Sequence, residues 1–253
     1  MSNSMKYEKK RCQISIVIPV FNDEDVLDML YERLKPVLQS NCIFHEIIFV
    51  DDGSTDRSFQ VLFNLQISDD AVKVIKLAEN FGQSNAIAAG LEAAKGSVMV
   101  VMDSDLQDRP EDIPKLIEPI IEYSVPMTVS CWKSRNDSIY KRVLSTLFWL
   151  FSTGFTRINT RANLGVFRAI SRAAYQQVIA AEDLSGTILS RFYALNIDYL
   201  TVELERDERA AGNSSYNLSK MLKLAWNRFQ CHTKIKFLRK QIEPTYKIER
   251  VLG

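Results

Sequence analysis

Histidine and cysteine are scarce in this sequence, which contains two histidines and four cysteines among 253 residues. The histidines, His45 and His232, lie far apart, so a histidine-rich metal site is not expected. The cysteines stand at positions 12, 42, 131 and 231, and no two of them form a Cys-x-x-Cys pair. This spacing favours neither a zinc site nor a disulfide scaffold, and reduced thiols in the cytosol are the simpler expectation.

The sequence also lacks an excess of one charge and a long apolar run. Its net charge is +1, which argues against a nucleic-acid binder that relies on bulk electrostatics. The polar stretch Met1–Arg11 lacks the apolar segment of a signal peptide. The nearest apolar run, Val143–Phe151, falls short of the roughly 18 residues that span a bilayer, so any action at a membrane is expected from its surface.

Short apolar runs alternate with amphipathic stretches in the first half of the chain. The second predicted helix is expected to be capped by Ser54 or Thr55. Because continuous apolar strands that alternate with helices are typical of parallel sheets covered on both faces, the pattern predicts a doubly wound α/β fold. The predicted strands are Ile14–Ile18, Glu46–Val50, Val72–Leu77 and Ser97–Met102, and the predicted helices are Val26–Gln39, 59–65 and Ser84–Lys95.

The second half of the chain is less regular. It contains the predicted strands Met127–Trp132, Gly165–Ile170 and Asp198–Glu205, and the predicted helices Ile139–Phe151 and one from Ser219 onward. No repeat or linker is visible. Residues 1–217 are therefore assigned to one domain and residues 218–253 to a C-terminal tail.

Acidic side chains follow three of the predicted strands. Asp23 follows the first, Asp51 and Asp52 the second, and Asp103 and Asp105 the fourth. In doubly wound sheets, ligands bind beyond the carboxyl ends of the strands. Two carboxylates two residues apart can converge on one Mg²⁺ or Mn²⁺, which keeps positions open for substrate phosphates. Each cluster taken alone is equally typical of a solvated turn or a helix cap.

Taken together and in order, these stretches resemble glycosyltransferase family 2, which has the GT-A fold, a Rossmann-like, mostly parallel sheet with helices on both faces. Within the family, the similarity is to polyprenyl-phosphate sugar transferases, and it runs from Ile14 to about Leu224. The matching stretches are Ser15–Asn22, Glu46–Asp56, Asn80–Gln83, Ala89–Leu91, Met102–Asp108, Phe167–Arg168 and Arg209–Tyr216.

The resemblance implies an inverting, metal-dependent hexosyltransferase. Asp103 and Asp105 would hold Mg²⁺ or Mn²⁺ and the donor diphosphate, with Gln107 beside them. Arg209 and Ser214 would lie on a loop that covers the donor phosphates or the acceptor phosphate, a task that suits the planar guanidinium fork.

The same resemblance implies a nucleotide pocket formed by Pro19, Phe21 and Asp23, with Asp52, and Asp51 beside it, binding the base. A UDP-, GDP- or dTDP-sugar is the expected donor. The sequence identifies neither the base, the sugar nor the acceptor.

The sequence departs from the family pattern mainly in the acceptor half. A sugar hydroxyl acceptor needs a general base, for which Glu182 and Asp183 are the candidates, although they are also typical of a helix start. The departures are Glu79 and Trp132 in place of arginines, Arg109 in place of a proline, Ser215 in place of a lysine, and no carboxylate in Asn163–Val166.

A basic amphipathic segment lies near the C-terminus. Between Ser219 and Lys240, seven Lys or Arg residues are interleaved with apolar and aromatic ones, without Asp or Glu. The pattern is typical of a peripheral contact with the cytoplasmic face of an anionic membrane, and equally of a helix that packs on the domain. A homodimer and a membrane partner both remain open.

Three functions are compatible with these features. The first is transfer of a sugar to a polyprenyl phosphate. The second is transfer to a hydroxyl of a lipid-linked surface polysaccharide, and the third is a non-catalytic subunit that binds a nucleotide-sugar. The pair Asp103 and Asp105 favours an enzyme.

Overall fold

The described residues form an eight-stranded mixed sheet with helices on both faces. A computed structural model describes residues 13–40, 44–132, 164–181, 186–207 and 245–253. The strand order is β7-β5-β6-β4-β1-β2-β3-β8. Strands β1 to β4 pair in parallel, β5 pairs in parallel with β7, and β6 and β8 run antiparallel to their neighbours. The predicted α/β fold with a mostly parallel sheet is confirmed.

The first half of the chain follows the predicted alternation closely. Its elements are β1 (Gln13–Val20), α1 (Leu27–Ser40), β2 (Phe44–Asp51), α2 (Ser58–Ser68), β3 (Val72–Leu77), α3 (Gln83–Ala93) and β4 (Val98–Val101). Helix α1 continues through Pro36 to Ser40. Helix α2 begins at Ser58 and has Arg57 at its N-cap, so the predicted caps Ser54 and Thr55 are wrong. Both lie instead in the loop that follows β2.

The second half adds strands at both edges of the sheet. Its elements are a 3₁₀ turn (Pro110–Asp112), α4 (Ile113–Tyr123), β5 (Met127–Trp132), β6 (Leu164–Ser171), α5 (Arg172–Ala180), α6 (Ile188–Ala194), β7 (Tyr199–Leu204) and β8 (Ile248–Leu252). The predicted helices at 139–151 and from 219 onward lie outside the described residues.

Strand β8 corrects one part of the predicted domain division. The sequence assigned residues 218–253 to a tail, but Ile248–Leu252 pair with β3 and belong to the main sheet. The strand is short and carries Glu249 and Arg250 at an exposed edge, so it has no apolar alternation to reveal it. The boundary at 217 lies outside the described residues and stays a prediction.

Two apolar clusters cover the faces of the sheet. One contains the inward side chains of α1, α2 and α4, including Leu27, Leu30 and Leu34, which are fully buried. The other contains those of α3, α5 and α6. Burial of both faces explains why the central strands are almost uniformly apolar. In the part of the chain that the structure describes, no helix has the length and apolarity to cross a membrane.

Candidate active site

Loops from several strands meet at one edge of the sheet. Because β1, β2, β4 and β7 all point the same way, the loops that follow them emerge together. Beside them lies the 80–83 loop, by which we mean the last part of the connection from β3 to α3 together with Gln83, the first residue of α3. This is the edge at which ligands bind in open α/β sheets.

The loop of residues 103–109 follows β4 and presents the two predicted metal ligands. Asp103 Oδ1 accepts a hydrogen bond of 2.6 Å from Gln83 Nε2, and Asp105 Oδ1 accepts one of 3.1 Å from the Gln107 N–H. Leu106 has a left-handed backbone, with φ 60°, and its side chain is buried. The turn therefore folds back tightly after Asp105, while both carboxylates remain partly exposed.

Asp23 joins the β1 loop to the 103–109 loop. Its Oδ2 accepts hydrogen bonds from Ser104 Oγ at 2.5 Å and from the Phe21 N–H at 3.4 Å. Its own N–H donates to Ser58 Oγ at 2.9 Å. Asp23 thus connects the neighbourhood of the predicted base-binding Phe21 to that of the predicted metal ligands.

Asn22 joins the β1 loop to the β2 loop. Its N–H donates to Ser54 Oγ at 3.1 Å, and its Oδ1 accepts from the Thr55 N–H at 2.8 Å. Its φ of 56° is left-handed, a conformation that asparagine tolerates better than most residues. The sequence interpretation gave Asn22 no role, although its position inside a matched stretch was an available signal.

Asp52 holds the 80–83 loop. Its two carboxylate oxygens accept hydrogen bonds from the N–H groups of Phe81, at 2.8 Å, and Gly82, at 2.9 Å. Asp52 is only 2% exposed, and burial raises the pKa of its carboxyl while these amides oppose the rise. The carboxylate therefore acts on the loop backbone, and contact with a base stays a prediction.

Asp51, the last residue of β2, is fully buried. Its Oδ1 accepts a 3.1 Å hydrogen bond from the Ser54 N–H, whereas its Oδ2 has no hydrogen-bond partner. Burial is the main cause that raises the pKa of this carboxyl. The resemblance implied that Asp52 binds the base with Asp51 beside it, and the structure gives the two carboxylates different partners.

Asp108 and Arg206 add a buried acid and a cation to the same edge. Asp108 is 1% exposed, and its Oδ2 accepts a hydrogen bond of 3.3 Å from the Asp103 N–H. The Arg206 guanidinium lies 3.8 Å from Asp108 Oδ1 and 3.9 Å from Asp103 Oδ2. Burial raises the pKa of Asp108 to about 6, although Arg206 opposes the rise. Neither residue was assigned a role from the sequence.

We expect Asp108→Asn to stabilise the metal-free protein near pH 7 by about 2 kcal/mol. The pKa of Asp108 in the folded chain lies above the ordinary value of an aspartate, so the folded chain binds the extra proton between these two values. The contribution of Asp108 to stability therefore falls as pH rises toward about 6. The amide oxygen can still accept from the Asp103 N–H. Urea unfolding with EDTA across this range would show an advantage that shrinks as pH falls. A stability gain of Asp108→Asn that is independent of pH would contradict a raised pKa of Asp108.

The start of the segment after β7 is fastened to the 103–109 loop. The Asp207 N–H donates to Gln107 O at 3.1 Å, and Arg33 Nη2 lies 3.3 Å from Asp207 Oδ2. Arg109, which stands where the family pattern has a proline, lies 3.5 Å from Glu205 and 3.9 Å from Asp207. This departure from the pattern therefore has a local function in ion pairing.

The other predicted site residues are only partly accounted for. Pro19 is buried within β1, and Phe21, 44% exposed, follows the end of that strand. Four predicted site residues lie outside the described ranges, so their roles stay predictions: Glu182, Asp183, Arg209 and Ser214.

The residues at this edge fit a divalent cation. The donors offered by Asp103 and Asp105 are hard carboxylate oxygens, which Mg²⁺ and Mn²⁺ prefer. Among the described residues, no group of three His, Cys, Asp or Glu side chains is placed to hold a metal. Two carboxylates suffice for an ion that completes its shell with water and substrate phosphates.

The sequence pattern of the family described as Glycosyl transferase family 2 matches residues 15–184. The chain belongs to this family. The match includes the loops that carry Asp23, Asp52, Asp103 and Asp105 at the converging edge of the sheet.

Two curated relatives of this family 2 chain illustrate the similarity. The uncharacterized glycosyltransferase YkcC of Bacillus subtilis is 36% identical over 217 residues, covering 85% of this chain and 67% of the relative. An undecaprenyl-phosphate 4-deoxy-4-formamido-L-arabinose transferase of Pseudomonas fluorescens is 33% identical over 224 residues, covering 87% and 64%. The chain thus spans about two thirds of the length of these relatives.

Solved structures share the fold of this family 2 chain at lower identity. Glucosyl-3-phosphoglycerate synthase from Mycobacterium tuberculosis, in complex with Mn²⁺, UDP and glucosyl-3-phosphoglycerate, has a TM-score of 0.60 and 19% identity and covers 87% of this chain and 78% of its own. The same enzyme with Mg²⁺ and UDP has a TM-score of 0.62 and 18% identity, with coverages of 87% and 78%. These similarities support the GT-A fold.

Proposed function

We propose that the chain transfers a sugar from a nucleotide-sugar to a polyprenyl phosphate, with inversion at the anomeric carbon. The observation that carries the proposal is the placement of Asp103 and Asp105 at the converging loops of a family 2 chain. Relatives named undecaprenyl-phosphate transferases supply the acceptor class. The solved neighbours that bind UDP with Mn²⁺ or Mg²⁺ favour a nucleotide-sugar donor and a divalent cofactor.

Two loops, 103–109 and 80–83, have different roles in the proposed reaction. Asp103 and Asp105 would hold Mg²⁺ or Mn²⁺, which when bound neutralises charge on the nucleoside diphosphate that leaves. Asp52, through the amides of Phe81 and Gly82, fixes the 80–83 loop, which in turn orients Asp103 through Gln83. The donor would lie between these loops, with its base toward Phe21.

The chemistry of a phosphate acceptor suits this site. An acceptor phosphate oxygen forms a bond to the anomeric carbon from the face opposite the diphosphate, and the bond from that carbon to the diphosphate oxygen breaks. Because the phosphate is already anionic, the step needs no general base. A sugar hydroxyl would need one, for which the candidates Glu182 and Asp183 stay predictions.

Because a polyprenyl carrier is a lipid, the chain would act at a membrane surface, for which we propose the cytoplasmic face. The basic segment between Ser219 and Lys240 would contact anionic headgroups, each cation contributing about 1 kcal/mol. This segment lies outside the described residues.

Transfer of labelled sugar to undecaprenyl phosphate tests the proposed function. The assay would use a panel of UDP-, GDP- and dTDP-sugars with Mg²⁺ or Mn²⁺, with EDTA as the control. We expect an EDTA-sensitive, lipid-linked product with one donor class. Absence of product with every donor, although a nucleotide-sugar binds with the metal, would contradict the polyprenyl acceptor. It would favour a glycan hydroxyl acceptor or a non-catalytic subunit.

A further inference from the structure

Residues near the C-terminus contact the start of the connection between β3 and α3 and the helix that follows it. The Ala78 N–H donates to Lys247 O at 2.8 Å, and the Thr245 N–H donates to Asn85 Oδ1 at 3.2 Å. The Tyr246 hydroxyl donates to Glu92 on α3, and its ring packs against the apolar cluster on that face. Strand β8 continues the contact by pairing with β3. The C-terminal segment 245–252 therefore contacts both ends of the β3–α3 connection.

Asn85 extends this contact toward the site. It lies in the first turn of α3, where its Oδ1 accepts from Thr245 and its Nδ2 donates to Phe81 O at 2.8 Å. The N–H of the same Phe81 residue donates to Asp52 Oδ1. The amide oxygen of Asn85 therefore bonds to the C-terminal segment, and its amide nitrogen bonds to the 80–83 loop.

The chain of hydrogen bonds ends at a predicted metal ligand. Gly82 donates to the other oxygen of Asp52, and Gln83 donates to Asp103 Oδ1. A Cβ at Gly82 would have no neighbour within 4 Å, so packing around this one position does not fix the loop. The loop backbone is held by its hydrogen bonds to Asp52 and Asn85, and the Phe81 side chain packs against the apolar cluster.

We propose that Asn85 is a positioning residue through which the C-terminal segment 245–252 holds the 80–83 loop in the conformation that binds the nucleotide-sugar. The inference rests on the proposed function for the identity of the ligand. Asn85 acts through Phe81 and the loop backbone, and not by contact with the reacting atoms. The C-terminal segment is on this account a component of the donor site.

Two substitutions break the link at different atoms. Asn85→Leu removes both side-chain hydrogen bonds at similar volume, and Thr245→Pro removes the N–H that reaches Asn85. Thr245→Ala keeps that N–H and is the matched control for the second, and Asn64→Leu, on the exposed face of α2, is the control for the first. The double variant tests whether both changes break the same link, in which case its effect should not exceed that of the larger single change.

Amide hydrogen exchange measures how well the hydrogen bonds of the 80–83 loop are kept, and it needs no ligand. We expect the Phe81 and Gly82 amides to exchange about fivefold faster in Asn85→Leu and in Thr245→Pro, as for loss of one hydrogen bond, while amides of β1 and β2 keep their rates. Both controls should resemble the native chain. Unchanged exchange at Phe81 and Gly82, or equal acceleration throughout the sheet, would overturn the inference.

Binding of UDP, GDP and dTDP in the presence of Mn²⁺ links the loop to the donor. For the nucleotide that the native chain binds, we expect Kd to rise about fivefold in both variants and to stay unchanged in the controls. Faster exchange with unchanged Kd would overturn the donor-site part of the inference. A native chain that binds none of the three nucleotides would count against the proposed function, and the exchange comparison would still decide whether Asn85 positions the loop.

Discussion

Replacement of Asp105 by alanine is expected to lower kcat/KM for sugar transfer by about a thousandfold, since neutralisation of a leaving diphosphate by a metal is worth several kcal/mol. Asp105 is partly exposed and belongs to neither apolar cluster, so its removal should leave the fold intact. The loss should fall on kcat as well as on donor binding, because charge on the diphosphate grows in the transition state.

The measurement is steady-state transfer across a range of Mn²⁺ concentrations, with thermal unfolding of the same samples. Asp70→Ala, on the exposed turn between α2 and β3, removes the same charge away from the site and should keep native activity. If the Asp105 variant kept metal-dependent turnover within about threefold of native, Asp105 would not be a metal ligand.

Replacement of Gly53 by alanine is expected to cost about 3 kcal/mol of unfolding free energy and to abolish detectable donor binding. Gly53 has a φ of +69°, and a Cβ there would lie 2.5 Å from the carbonyl carbon of Glu79 and 2.6 Å from the backbone nitrogen of Asn80. Both atoms belong to backbone and cannot rotate away. The new methyl group would push the 80–83 loop from Asp52, and with it Gln83 from Asp103.

Gly82→Ala provides a matched control for this change. Gly82 also has a positive φ, of +90°, but a Cβ there meets nothing within 4 Å. Its replacement should cost about 2 kcal/mol, from backbone strain alone. Urea unfolding and UDP or GDP binding would be compared for both variants. Equal losses of unfolding free energy in the two variants would mean that the clash with the 79–80 backbone does not destabilise Gly53→Ala beyond the backbone strain.

The sheet could be largely predicted because its strands carry their own signal. Val72–Leu77 and Met127–Trp132 were predicted with the observed bounds, since each contains buried β-branched residues and follows turn residues. The ends of helices were less well predicted. Ser54 and Thr55 have the side chains of helix caps, but tertiary contacts with Asn22 hold them in a loop.

The convergence of the acidic clusters was also predictable, because the carboxyl ends of parallel strands share an edge. The partners within the cluster were not. No spacing rule reveals that Asp52 holds the amides of Phe81 and Gly82, or that Gln83 reaches Asp103, since these contacts depend on how two loops fold over each other. Strand β8 was missed for a related reason: an edge strand with exposed side chains lacks a buried periodicity.

The pairing of β8 with β3 also bears on the order of events during synthesis. Residues 13–101 contain β1 to β4 and leave the ribosome well before residues 248–252, and these strands can pair with one another at once. The outer edge of β3 stays open until residues 248–252 have been made. An open edge of this kind can pair with another nascent chain, and contacts that join distant parts of a sequence form slowly. Completion of the sheet therefore depends on residues that are translated long after its central strands, and aggregation during expression should be most sensitive to changes in β3 and β8.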